Sequence, residues 1–81
     1  MQIEDLDEAV PVRADFTGGR IMPRAFSRGG RTYLVTGINS HWVDREGSSP
    51  RHCFSLQANG ETYFISLRTA DMSWKLERVV L

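Results

Sequence analysis

Apolar and polar side chains alternate along most of the chain with the two-residue period of β-strands. In Ala9–Phe16, Val10, Val12, Ala14 and Phe16 share one face, with Arg13 and Asp15 opposite. Pro11 cannot donate to a ladder, so this segment belongs at a sheet edge. Gly18-Gly19 marks a turn, and Arg20–Arg28 reads as an irregular strand with a bulge or edge at Pro23. Ser27-Arg28-Gly29-Gly30 makes the next turn. Arg31–Val43 carries apolar residues on both faces, as a central strand does, and Gly37 predicts a bulge or bend inside it. Asp44–Pro50 is rich in breakers and reads as an exposed loop. His52–Ala58 and Glu61–Leu67 alternate cleanly around Asn59-Gly60, a pair suited to a type I′ hairpin turn because both positions need positive φ. Met72–Leu81 alternates again, with Met72, Trp74 and Leu76 on one face.

No segment sustains the spacing of an amphipathic helix. The nearest, with Ile3, Leu6 and Val10, is the acidic N-terminus, which is expected to be a flexible tail over residues 1–8 ahead of one domain over residues 9–81. Short strands separated by turn signals predict an all-β, antiparallel, five- or six-stranded curved sheet or small SH3-like barrel. Its expected core is Val12, Phe16, Phe26, Tyr33, Val35, Ile38, Phe54, Leu56, Tyr63, Ile65, Trp74 and Leu76.

Composition narrows the partners. With 41% hydrophobic and 25% charged residues, the chain has a globular rather than a disordered character. Its formal net charge is zero, which selects no partner class in bulk and leaves a homo-oligomer open. The distribution is uneven, however. Glu4, Asp5, Asp7 and Glu8 crowd the start, whereas Arg20, Arg24, Arg28 and Arg31 fall in a stretch to Val43 that has no acid. Nine of the ten basic residues are arginine, whose planar fork suits carboxylates and phosphates. The single cysteine, Cys53, excludes an internal disulfide. The acidic opening is unlike a secretory leader, and no apolar run approaches the roughly 20 residues of a membrane span. A cytoplasmic location is therefore expected.

Catalytic chemistry finds little footing. His41, Asp44, His52 and Cys53 are metal-binding types, but their spacing fits no compact site, and adjacent His52 and Cys53 point to opposite faces of a strand. Cys53 reads as a small semi-buried thiol. No nucleophile turn or phosphate-cradling loop is present. We therefore expect no enzyme and no cofactor. The candidate binding residues are Arg20, Arg24, Arg28 and Arg31, interleaved with Phe26 and Tyr33, together with Trp42, Arg45 and Arg51 beside the 44–50 loop. Cations mixed with aromatics suit anionic strands.

Pro23-Arg24-Ala25-Phe26, Gly30-Arg31-Thr32-Tyr33-Leu34-Val35, Trp42, Tyr63–Leu67 and Trp74-Lys75-Leu76-Glu77-Arg78-Val79 together resemble an uncharacterised bacterial all-β domain family. Its pattern runs Pro-x-x-Phe, Gly-Arg-x-Tyr-x-Val, a central Trp and a closing Trp-x-Leu-x-Arg-Val. The resemblance covers roughly Val10 to Val80. It implies company with translesion-polymerase-like DNA repair proteins. This chain has Ser27-Arg28-Gly29 where the family usually has an aromatic before Gly-Arg.

Two functions are expected. The first is a non-catalytic binding module, accessory to DNA repair, that presents its arginines to nucleic acid or to an acidic protein surface. The alternative is a protein-interaction or self-association domain acting through an edge strand, at the segment around Pro11 or at the terminal strand.

Overall fold

The computed structural model describes residues 2–45 and 47–81. Seven strands follow one another: β1 (Ile3–Ala9), β2 (Val12–Thr17), β3 (Arg20–Arg28), β4 (Arg31–Asp44), β5 (Arg51–Ala58), β6 (Glu61–Arg68) and β7 (Ser73–Val80). They form one antiparallel sheet in the order β1-β7-β6-β5-β4-β3-β2.

Tight turns set the hairpins. Gly18-Gly19, Gly29-Gly30 and Asn59-Gly60 each place two successive residues at positive φ, between 51° and 77°. That is the type I′ geometry, whose twist matches the flanking strands. Glycine or asparagine is needed there because a bulky Cβ is strained at positive φ.

The strand order has a geometric consequence. β1 and β2 are the two edges, yet only Val10 and Pro11 separate them in the chain. In a flat seven-stranded sheet the edges would lie about 29 Å apart, six spacings of ~4.8 Å. The three Cα steps from Ala9 to Val12 reach about 11 Å at most. The sheet therefore rolls until its edges meet at this corner. The Val10 N–H donates to Trp74 O on β7 at 3.3 Å, and the Ser27 N–H on β3 donates to Pro11 O at 3.1 Å. No ladder joins β1 to β2, so the roll is open: of the two expected forms it is the curved sheet and not the small SH3-like barrel. The physical reason is that β1 and β2 continue one another around a bend and do not lie side by side.

The inside of the roll is apolar. Phe26 and Tyr33 stack with ring centroids 5.0 Å apart, and Tyr63 packs edge-on to both, at 5.1 Å and 5.8 Å. Phe54, Leu56, Ile65, Leu67 and Leu76 are fully buried around them. Val12, Tyr33, Val35, Ile38 and Trp74 pack at the margin of this core.

Three expectations are corrected. Residues 3–9 are strand β1, paired to β7, where a tail was expected over residues 1–8. Its alternation was hidden because an edge strand can carry charge, and because a bulge between Asp5 and Glu8, with Asp7 at φ 52°, breaks the period. The strands therefore number seven, not five or six. Phe16, expected in the core, is 56% exposed, because β2 has a neighbour on one side only.

Removing the Phe26 ring leaves a cavity at the centre of the aromatic cluster. Phe26→Ala should cost about 3–5 kcal/mol, much of what a small domain has. Urea denaturation followed by tryptophan fluorescence checks this, with an unchanged midpoint as the contrary result.

Candidate functional site

β4 is shared between two partners. Its first part pairs with β3, from Ala25↔Leu34 to Arg28↔Arg31. Its remainder pairs with β5, from Val35↔Ala58 to Asp44↔Arg51, with register shifts between Val35 and Gly37 and between Ile38 and Ser40. Continuing the β3–β4 register would set Pro23 against Thr36. Pro23 has no N–H to give, and the shift at Gly37 commits β4 to β5. The ladder stops there, and Arg20–Pro23 pairs with β2 alone.

The two strands part around a cleft of about 510 Å³, a volume within the usual range of ligand sites. Ile21, Met22, Val35, Ile38, Pro23 and Phe54 give it apolar walls and floor, and Arg20 and Arg24 stand at its rim. The alternation of an antiparallel ladder fixes where the backbone points. Thr17↔Arg20 flanks a two-residue turn, so Arg20 and Met22 turn their backbone groups to β2, and Ile21 turns its own to the cleft. Ala58↔Glu61 likewise flanks a two-residue turn, so Leu56 is committed to β6. Ile38, opposite Leu56, therefore aims its N–H and C=O away from β5 and into the cleft.

The sequence-derived arginines do not converge on one patch. Arg20 and Arg28 are eight residues apart along β3, roughly 26 Å at 3.3 Å per residue. Most of the arginines are also engaged. Arg24 Nε donates to Asp15 at 2.8 Å, and Arg28 holds both carboxylate oxygens of Glu8, at 3.0 Å and 3.2 Å. Hydrogen bonding to Arg28 keeps the Glu8 carboxyl below its ordinary range. Arg31 lies over the Tyr33 ring at 5.5 Å. Arg51 donates to Asp44 at 2.8 Å and reaches Glu77 at 3.6 Å, while Arg45 is exposed in the loop after β4. The expected loop over residues 44–50 includes Glu46, which lies outside the described residues. Trp42 is 44% exposed and meets Phe64 edge-on at 6.4 Å, on the face of β4 opposite the core. Of the seven residues, only Arg20 and Arg24 belong to the cleft.

His41 stands at the cleft wall. Its ring stacks on Phe54 at 4.3 Å, and its Nε2 lies 2.9 Å from His52 Nδ1, one ring donating and the other accepting. Among the described residues, no group of three or more His, Cys, Asp or Glu is arranged to hold a metal ion. Cys53 is buried, and desolvation pushes its thiol above the ordinary range, which keeps it protonated. No helix among the described residues is long and apolar enough to cross a membrane.

Sequence reasoning missed the apolar half of this site. The signal available was a pair of ladder breakers, Pro23 and Gly37, on consecutive strands.

No protein-family model, curated protein or solved structure matches the chain.

Desolvation against Phe54, and then the nearby His52, hold His41 below its ordinary 6.5. The folded protein thus binds fewer protons than the unfolded chain once pH falls below 6.5. Its stability should be level above that pH and decline below it. Urea midpoints measured through this window should fall for the native protein and fall less for His41→Gln. Equal slopes would contradict the assignment.

Proposed function

We propose that the protein is a non-catalytic binding module that accepts an extended, acidic protein segment in the cleft between β3 and β4. The observation that carries this reading is the interrupted ladder. Ile21 and Ile38 have no ladder partner on the side that faces a cleft of mixed apolar and polar lining, which favours an added strand that can pair with them. Arg20 at the rim, with no carboxylate partner among the described residues, favours an acid in that segment.

The geometry weighs against nucleic acid as the ligand. Phosphate binding draws on several uncompensated cations along one track. Here Arg24, Arg28 and Arg51 are each tied to a carboxylate of the protein itself. Stacking needs accessible rings, and the aromatic at the cleft floor, Phe54, is 1% exposed. Of the two anionic partners considered, the acidic protein surface is the better fit. The family resemblance supplies the setting, so the segment would belong to a DNA-repair partner in a bacterial cytoplasm.

Fluorescence anisotropy with a labelled, extended acidic peptide and a labelled single-stranded DNA separates these ligands. The peptide should bind, and Arg20→Glu should weaken it by about tenfold or more, the range of losing one charge-assisted hydrogen bond. Arg68→Glu, on the exposed end of β6, should change little. Binding of DNA but not peptide, or equal loss in both variants, would overturn the proposal.

A further inference from the structure

The two free edges of the sheet are protected very differently. β1 carries Glu4, Asp5, Asp7 and Glu8 and a bulge with Asp7 at φ 52°, both of which discourage another strand from pairing. β2 has no bulge of its own, and in place of four acids it carries one charge of each sign, Arg13 and Asp15. Val12-Arg13-Ala14-Asp15-Phe16-Thr17 contains no glycine, proline or lysine. The register shift in its pairing comes from an additional residue, Arg24, on β3, so β2 itself keeps its period. Phe16 is 56% exposed on this strand. The terminal strand β7 is not an edge, because β1 covers it.

The backbone of β2 is half committed. Pro11 O accepts from Ser27 on β3, and Thr17 flanks the turn to Arg20. Odd-numbered residues therefore face β3, and Val12, Ala14 and Phe16 turn their N–H and C=O groups outward. Their side chains share one face, with Arg13 and Asp15 on the other.

We propose that the protein forms a two-fold symmetric homodimer in which β2 pairs antiparallel with β2 of a second copy, Ala14 opposite the partner's Ala14. Charge selects this register. Shifting the centre to Arg13 sets arginine against arginine, and shifting it to Asp15 sets aspartate against aspartate. Centred on Ala14, Arg13 faces the partner's Asp15 and Asp15 faces the partner's Arg13, in the closer, non-hydrogen-bonded pairs of the ladder. The same register sets Phe16 against the partner's Val12 and covers its exposed ring. It uses the outward groups of Val12, Ala14 and Phe16 in both copies. Such self-complementarity is what an isologous interface requires. The edge lies on the far side of β3 from the cleft, but Asp15 also accepts from Arg24 at the cleft rim, so Arg13→Asp, which leaves that ion pair in place, is the variant that separates dimerisation from ligand binding.

Light scattering coupled to size exclusion, over a wide range of loading concentrations, reads the dimer directly. The mass should rise from 9.2 kDa toward twice that value. Arg13→Asp and Asp15→Arg should each abolish the rise, since either places like charges opposite one another across the axis. Mixing the two variants should restore it, because each then faces its complement. Recovery on mixing also distinguishes a lost interface from a lost fold. Ala14→Cys should give a disulfide-linked dimer on oxidation, while the native protein, whose cysteine is buried, should not. A constant mass for the native protein, single variants that still associate, or a mixture of folded variants that stays monomeric would overturn the proposal.

Discussion

The two-residue link between β1 and β2 governs the architecture. Val10 and Pro11 tie together the opposite edges of a seven-stranded sheet, and the short reach of that link leaves the sheet no flat solution. The roll that results brings β3 and β6 within reach of each other across the interior. Phe26, Tyr33 and Tyr63 then pack as one aromatic cluster, although they come from three different strands. The bidentate contact of Arg28 with Glu8 fastens the same corner from outside the ladder.

The cleft follows from the same constraint. A rolled sheet needs places where strands turn sharply, and bulges supply them. β4 turns at Thr36-Gly37 and Asn39, where it leaves β3 and takes up β5. Pro23 makes the separation inexpensive, since the ladder loses no donor at that position. Hydrogen-bonding capacity that a flat sheet would have used internally is left facing a shared space of mixed apolar and polar lining. The binding proposed for this cleft would in this sense be a by-product of how the sheet rolls.

Much of the fold was legible in the sequence, and the reasons are local. The β5–β6 hairpin followed from Asn59-Gly60 and clean alternation, and its observed register has Ala58 opposite Glu61. Gly37 and Pro23 marked irregularities where the ladders do shift. Long-range features were harder to read. Phe16 has the pattern of a core residue, and its exposure depends on where β2 lies in the sheet order. Residues 3–9 were obscured by a bulge and by charges that suit an edge. Leu34 is 60% exposed and Ile38 faces the core, because the shift between Val35 and Gly37 exchanges the faces of β4. The arginine-rich stretch is continuous in sequence, but its carboxylate partners, Glu8 and Asp15, come from other strands.

Native-state hydrogen exchange followed by NMR, on the protein without ligand, tests the central claim most directly. That claim is that β3 and β4 are unzipped on the Pro23 side and zipped on the Gly29-Gly30 side. The account predicts slow exchange for the amides of Phe26 and Tyr33 and fast exchange for those of Ile21 and Ile38, neighbours in the sequence of protected residues. Protection of Ile21 and Ile38 matching that of Phe26 would mean that the ladder continues and no cleft opens, and would contradict the account.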